Sequence, residues 1–221
     1  MAPFGKIYSY PNNFRVQRAQ VLAALNGLEV TLAEDFKMGE TNKTPEFLAK
    51  FPMGKVPTLE CTDGFCLTEN AAICRYIAQS GPLADQLLGS DLKTQARINE
   101  WTLFAENELS ANGFPPIAMA VMKYIPADQA RFNSSIQNLE RALKRLELAL
   151  EGGKKFLVGD APTLADVMVA SSLFMPFKFV IDAEMRKGLP NLVSYMEGVA
   201  TVEATKKVFG DLVLCDTRVS L

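Results

Sequence analysis

The sequence predicts an α/β domain followed by an all-helical domain, and two observations support this division. Up to about residue 80, short strand-like apolar runs alternate with segments of helical periodicity, in the order β-α-β-α-β-β-α. After the turn-forming Ser80-Gly81-Pro82, only helical patterns remain. We therefore expect an α/β domain at residues 1–80, a linker at residues 81–90 and a helical domain at residues 91–221.

Strands and helices of the first domain are predicted from alternation and from turn residues. Residues 6–10 alternate like a short strand and end at Pro11-Asn12-Asn13. A helix is expected from Phe14 to Asn26-Gly27, and residues 29–32 form the next strand. This β-α-β unit predicts two parallel strands joined by a right-handed crossover. Thr44 and Pro45 have the residue types that begin a second helix.

A hairpin is predicted around Asp63-Gly64, between the apolar runs 56–61 and 65–67. Its second strand leads into Glu69-Asn70, where Asn70 is expected to cap a helix that starts at Ala71. A carboxylate, an amide and a helix N-terminus would then converge, which suits the carboxylate of a small molecule. The alternative is a purely structural hairpin that is capped into a helix.

The second domain should be a bundle of helices with clear start signals. Asp91 and Asp128 are expected to cap helices, and the first of these should be broken at residues 112–116 by Gly113 and two prolines. Leucines at helical spacing in the longer helix should be core residues: Leu139, Leu143, Leu146 and Leu150. Thr163 and Asp166 have the spacing of a capping box, and Leu189-Pro190 should start a further helix.

Composition excludes several classes of function. With 48% hydrophobic residues, 23 basic and 25 acidic residues, the chain resembles ordinary soluble proteins and shows no nucleic-acid footprint. No apolar run approaches the roughly 18 residues of a membrane span, and the N-terminus is too short and polar for a signal peptide, so a cytoplasmic protein is expected.

Histidine is absent and the four cysteines lack metal-ligand spacing, so no His-based catalysis and no metal site are expected. Cys61, Cys66 and Cys74 lie in or beside the predicted hairpin. They are expected to be small buried hydrophobic residues.

The motifs together resemble the soluble glutathione transferases. Lys55-Val56-Pro57 followed by Glu69-Asn70-Ala71-Ala72-Ile73 is similar to their glutathione site, and the Thr163-Leu164-Ala165-Asp166 segment is similar to the start of their central helix. The resemblance implies a thioredoxin-like domain followed by a helical bundle, with glutathione as co-substrate and a homodimeric assembly. Where the family has a Ser after the Glu, this chain has Asn70.

Residues 44–57 resemble most closely the N-terminal domain of the gamma subunit of elongation factor one B. That subunit continues into a Lys-rich linker and a second domain, whereas this chain ends at Leu221. A fungal-type stand-alone transferase is therefore expected, active in detoxification or secondary metabolism. The alternative is a non-catalytic scaffold module that docks nucleotide-exchange-factor subunits.

The resemblance assigns each part of glutathione to residues of the first domain. Glu69 should bind the γ-glutamyl ammonium, and the backbone and side chain of Asn70 its carboxylate. Val56, before a cis Pro57, should pair its main chain with the cysteinyl part. The glycyl carboxylate would meet Lys55, or Lys43 from the preceding loop.

Activation of the thiol is assigned less narrowly. Family members use a Tyr, Ser or Cys at the end of the first strand, where Tyr8, Ser9 and Tyr10 lie on alternating faces. The following turn resembles that of the nitrogen-regulator-like transferases, which points to Asn12 or its neighbour Asn13, with Arg15 as an added cation. The sequence does not choose among these thiol-activating candidates, and the alternative is that the turn has no chemical role. No cysteine lies near Tyr10, which disfavours a thiol-disulfide oxidoreductase.

The second substrate should be a small hydrophobic electrophile, bound between the two domains. Its pocket is expected to be formed by Met and Phe side chains, namely Phe14, Phe104, Phe114, Met119 and Met122. The last four also have the character of core residues.

Overall fold

A computed structural model describes residues 3–221 and divides into two compact units, the first up to Ser90 and the second Asp91–Leu221. Met1 and Ala2, at the start of the first predicted domain, lie outside the described residues. The segment predicted as a linker, residues 81–90, contains a short helix and belongs to the first unit.

The first unit is a four-stranded mixed sheet with helices, in the predicted β-α-β-α-β-β-α order. Its strands are β1 (Pro3–Tyr8), β2 (Glu29–Leu32), β3 (Thr58–Cys61) and β4 (Cys66–Leu67), arranged in the sheet as β2-β1-β3-β4. Strands β1 and β2 are parallel, as expected, and β3 pairs antiparallel with both β1 and β4. Its helices are α1 (Phe14–Leu25), α2 (Pro45–Lys50), α3 (Asn70–Gln79) and α4 (Ala84–Leu88).

Local signals explain where these helices begin and end. Asn13 caps α1 by accepting a hydrogen bond from the Arg15 N–H, and Gly27 follows the helix with φ of 67°. Thr44 caps α2 through the Phe47 N–H, with Pro45 in the first turn. Alternation then places Ile7 and Leu59 in the core between the sheet and the helices.

The second unit is all-helical, as expected. Its helices are α5 (Leu92–Phe104), α6 (Ala111–Ala120), α7 (Gln129–Ala149), α8 (Leu164–Phe179), α9 (Ala183–Arg186), α10 (Pro190–Thr201) and α11 (Glu203–Phe209). Asp91 and Asp128 cap α5 and α7 as predicted, and the four leucines of α7 and its C-terminal end are fully buried. Helix α8 is buried on nearly every side, which makes it the centre of this unit.

The predicted break at residues 112–116 is wrong. A π-helical segment, Ala105–Ser110, connects α5 to α6, and Pro115 and Pro116 lie inside α6. Proline removes a backbone donor but keeps a helical φ. Packing maintains the helix, because Gly113 lets it approach α8 so closely that an added Cβ would lie 2.8 Å from Pro176 Cγ.

The expectation that Cys61, Cys66 and Cys74 are buried is only partly met, since Cys61 and Cys74 are buried but Cys66 is half-buried. Cys66 lies on β4, which is an edge strand of the sheet. Within residues 3–221, no helix is long and apolar enough to cross a membrane, and no cluster of Cys, Asp and Glu side chains is placed to hold a metal ion.

Candidate functional site

The hydroxyl groups at the end of β1 lie in different environments. Tyr8 donates a hydrogen bond to Glu60 Oε2 at 2.5 Å. Ser9 is 1% exposed, and its Oγ accepts a hydrogen bond from Asn13 Nδ2 at 3.0 Å. Tyr10 is exposed. Burial agrees with the predicted alternation, because Ile7 and Ser9 are buried whereas Tyr8 between them is half-buried.

Tyr8 belongs to a charged cluster on one face of the sheet. Lys50 Nζ lies 2.5 Å from one Glu60 oxygen, and Lys6 Nζ lies 3.5 Å from the other. The hydrogen bond from Lys50 lowers the pKa of Glu60, whereas burial, with the Glu60 contact, raises the pKa of Tyr8. A phenol with a raised pKa that donates to a carboxylate is poorly suited to stabilise a thiolate.

The turn before α1 presents two asparagines with different roles. Asn12 is exposed and has φ of 59°, in the left-handed region that Asn tolerates better than most residues. Asn13 is buried and uses both ends of its amide inside the fold, on the Arg15 N–H and on Ser9 Oγ. The Arg15 guanidinium lies over the Phe14 ring, 4.6 Å from the centroid. Asn12 is therefore the asparagine of this turn with an accessible side chain.

Val56 and Pro57 stand at the entrance to β3 and are joined by a cis peptide bond, as the resemblance implies. Val56 is half-buried, and within residues 3–221 its main-chain N–H and C=O have no protein hydrogen-bond partner. Extending the β3–β4 register beyond Leu59↔Leu67 brings Val56-Pro57 and Glu69-Asn70 to the same end of the hairpin. This end of the hairpin offers a free main-chain edge beside a helix N-terminus.

Lys43 and Lys55 are both exposed, on two segments that Asn42 joins. Asn42 is buried, donates from Nδ2 to the Gly54 carbonyl at 2.7 Å, and accepts the Gly39 N–H at 2.6 Å. The segment bearing Lys43 is thus attached to the segment that leads into Lys55.

Glu69 occupies the N-cap position of α3 in a strained conformation, with φ of 62° and ψ of 111°. Its side chain makes no capping hydrogen bond, and its exposed carboxylate has no ion-pair or hydrogen-bond partner within the described part of the chain. The prediction that Asn70 is the N-cap is wrong, because Asn70 is the first helical residue and Glu69 precedes it. Non-glycine residues with this strain concentrate at functional sites.

Asn70 is 8% exposed, and its side chain forms hydrogen bonds with α1 and with Cys74 of its own helix. Its Nδ2 donates to the Arg15 carbonyl at 2.8 Å, and its Oδ1 accepts from Arg18 Nη1 at 3.2 Å and from Cys74 Sγ at 3.9 Å. These bonds explain why Asn70 does not cap α3, since its amide is directed sideways to α1.

Four of the predicted pocket residues belong to the second unit. Phe104 and Met119 are buried among its helices. Phe114 is half-buried, with its ring 6.1 Å from that of Tyr124, and Met122 is exposed in the segment after α6. Phe14 is buried at the start of α1 in the first unit. Phe104 and Met119 thus show the core character that their sequence also allowed.

Sequence reasoning missed Arg18 and Asn42, which connect segments of the candidate site. Arg18 is fully buried, on a face of α1 that also contains Phe14 and Leu22. A charged residue on an apolar helical stripe is a signal that could have found it. For Asn42 the sequence has no such signal, because a polar loop residue is usually exposed.

Several known proteins are similar to this chain in both sequence and fold. The family model of the glutathione S-transferase N-terminal domain matches residues 3–79, and that of the C-terminal domain matches residues 110–203. The "Glutathione S-transferase-like protein LUC7" of Fusarium sp is 44% identical over 218 residues, which cover 99% of this chain and 98% of that protein.

Elongation factor 1-gamma of Artemia salina is 34% identical over 96% of this chain, which spans only 48% of that longer protein. The solved GST-like domain of elongation factor 1-gamma from Saccharomyces cerevisiae has the same fold, with a TM-score of 0.79, 24% identity and 98% of each chain covered. Together with the family models and the fungal relative, these similarities show that the chain belongs to the glutathione S-transferase family.

Proposed function

We propose that this protein is a glutathione transferase that directs the glutathione thiolate at a small hydrophobic electrophile. The observation that carries the proposal is the end of the hairpin, where Glu69 holds an unpartnered carboxylate in a strained N-cap position near the free main chain of Val56. A fixed anion, a helix N-terminus and an open strand edge together match the ammonium, the carboxylate and the peptide groups of glutathione.

Each part of the tripeptide then has a binding group. The Glu69 carboxylate takes the γ-glutamyl ammonium, and the first backbone N–H groups of α3, beginning with Asn70, take the neighbouring carboxylate. Val56, before the cis Pro57, pairs with the cysteinyl unit, and exposed Lys55 or Lys43 meets the glycyl carboxylate.

The thiol, with a free pKa near ~8.5, must be held as thiolate for attack. Asn12 is the candidate that the geometry favours, because its side chain is exposed at the turn before α1, where the helix N-terminus also favours an anion. Arg15 adds a cation in the next turn. Ser9 and Asn13 bond each other, and Tyr8 bonds Glu60, so these side chains are engaged elsewhere.

The electrophile is proposed to be hydrophobic because apolar surface is presented by half-buried Phe114 in α6 and by exposed Met122 and Tyr124, which follow that helix. By family resemblance we expect a cytoplasmic homodimer. Size-exclusion chromatography with light scattering would test the dimer directly.

Calorimetric titration of the full chain with reduced glutathione tests the proposal. Glu69→Ala should weaken binding at least tenfold, because a charge-assisted hydrogen bond of about 1.5–3 kcal/mol is lost. Glu46→Ala is the matched control, since Glu46 is another exposed glutamate at the start of a helix in the same unit, and this variant should bind glutathione normally. Absence of binding by the wild-type protein at millimolar glutathione would overturn the proposal.

A second candidate is a scaffold module that docks nucleotide-exchange subunits, favoured by the 34% identity to an elongation factor 1-gamma. Affinity capture of those subunits by the purified chain, without glutathione binding, would support it. Measurable conjugation without capture would exclude it.

A further inference from the structure

The two halves of the proposed glutathione site lie on different helices. The thiol-activating turn, with Asn12 and Arg15, begins α1, whereas Glu69 and the N–H groups for the γ-glutamyl end belong to the start of α3. The N-termini of α1 and α3 must stay at a fixed separation, because stabilisation of the thiolate depends on the distance between the anchored γ-glutamyl group and the turn before α1.

One side chain spans the gap between them. Asn70 donates to the carbonyl of Arg15, inside the first turn of α1, at 2.8 Å, and accepts from Arg18 one turn further along at 3.2 Å. Arg18 is fully buried and lies 4.9 Å from the Phe14 ring centroid, so its guanidinium is held by packing as well as by hydrogen bonding.

We propose that Asn70 and Arg18 are positioning residues, which hold the first turn of α1 at a fixed distance from the N-terminus of α3. The inference rests on the proposed function. It changes the role of Asn70, because its side chain serves the register of the site and leaves the glutathione carboxylate to backbone N–H groups of α3. A serine side chain at this position would be too short to bond both Arg15 and Arg18.

The fold supplies a matched control at the opposite ends of the same two helices. Asn26, also buried, caps the C-terminus of α1 and donates from Nδ2 to the carbonyls of Ile77 and Ala78 at the end of α3, both at 2.9 Å. It therefore joins α1 to α3 as Asn70 does, but away from the proposed site. If the substitutions act only by loosening the contact between α1 and α3, the Asn70 and Asn26 variants should have the same effect on the site. If Asn70 positions the site, only its own substitution should change the thiol pKa.

The test measures two properties of residues 1–221 loaded with glutathione. The first is the dissociation constant by calorimetry, and the second is the pKa of the bound thiol from the ultraviolet absorbance of the thiolate against pH. Asn70→Ala should raise the thiol pKa by about one unit, a tenfold loss of thiolate stabilisation, and change the dissociation constant less than about threefold. Asn70→Ser should act in the same direction and guards against a misfolded alanine variant. Asn26→Ala should lower the melting temperature but leave the thiol pKa unchanged.

Three outcomes would overturn the inference while leaving the proposed function intact. The first is a tenfold weaker dissociation constant with an unchanged thiol pKa, which would make Asn70 a direct ligand of the carboxylate. The second is no change in either property, and the third is an equal pKa shift in Asn26→Ala. If wild-type protein does not bind glutathione at all, the proposed function and this inference both fail.

Discussion

Two helices of this protein begin in opposite ways. Helix α8 starts in a closed network in which Asp166, fully buried, accepts hydrogen bonds from the N–H groups of Leu157 and Thr163 and from the hydroxyls of Thr163 and Tyr195. Helix α3 starts at Glu69, which is strained, exposed and without a side-chain cap. One start is fully satisfied by the fold, and the other leaves its groups available to a ligand.

The carboxyl groups at the two helix starts differ in their electrostatics because Asp166 is buried and Glu69 is exposed. Burial raises the pKa of Asp166, and the four donated hydrogen bonds oppose that rise, while burial with the nearby carboxyl raises the pKa of Tyr195 well above its usual value. A buried carboxyl of this kind is costly to disturb. An exposed carboxylate such as Glu69 contributes little to folding, so its strained position can be kept for binding.

The largest expected effect on stability is at Asp166, in the hydrogen-bond network that begins α8. Asp166→Ala should destabilise the protein by about 3–5 kcal/mol, because it leaves buried donors on three residues without an acceptor. Chemical denaturation would measure the loss. Asp166→Asn keeps one acceptor oxygen and should lose less; a loss below about 1 kcal/mol for the alanine variant would contradict the closed-network account.

Glu69→Gly, at the N-terminus of α3, should change stability in the opposite direction and stabilise the protein. Glycine adopts φ of 62° without strain, so the free energy of unfolding should rise by about 1 kcal/mol, the strain released less the entropy cost of glycine. Glutathione binding should fall at the same time. The two changes are read by denaturation and calorimetry on the same sample, and loss of stability in the glycine variant would refute the assignment of strain.

Thr163→Ala tests the contribution of a single hydroxyl to the network that begins α8. Removing the hydroxyl of an N-cap residue typically costs about 1 kcal/mol, and the Asp166 carboxyl would keep its three other donors. Glutathione affinity should not change. A change in glutathione affinity without a change in stability would contradict a purely structural role for the Thr163 hydroxyl.

A smaller gain is expected beside the open start. Thr58 follows the cis Val56-Pro57 and is buried, and its Oγ1 is the one buried side-chain polar atom among residues 3–221 without a hydrogen-bond partner. Thr58→Val should therefore raise the free energy of unfolding by about 0.5–1 kcal/mol. A lower thermal midpoint for the valine variant would show that the hydroxyl is satisfied in solution.

Much of the fold follows from local signals in the sequence. Thr44, Asp91 and Asp128 cap the helices they were expected to cap, and the Asp-Gly turn joins the two predicted strands of the hairpin. Such signals are reliable because a cap or turn residue bonds backbone groups only a few residues away. The buried leucines of α7 follow equally from helical spacing.

The errors occur where distant contacts overrule a local preference. Proline and glycine at residues 113–116 locally favour a break, but packing of Gly113 against Pro176 keeps α6 intact. Asn70 locally favours an N-cap, but Arg15 and Arg18, more than fifty residues earlier, engage its amide.

The sequence by itself therefore determined the two-domain class, the starts of α2, α5 and α7, and the set of residues around Val56-Pro57 and Glu69-Asn70. Only the tertiary structure decided which of those groups are available. It engages Tyr8 with Glu60, Ser9 with Asn13 and Asn70 with α1, and it leaves the Glu69 carboxylate and the Val56 main chain without protein partners in the described residues. The physical reason is that a residue type sets which hydrogen bonds a group can make, whereas the fold determines which partners reach it.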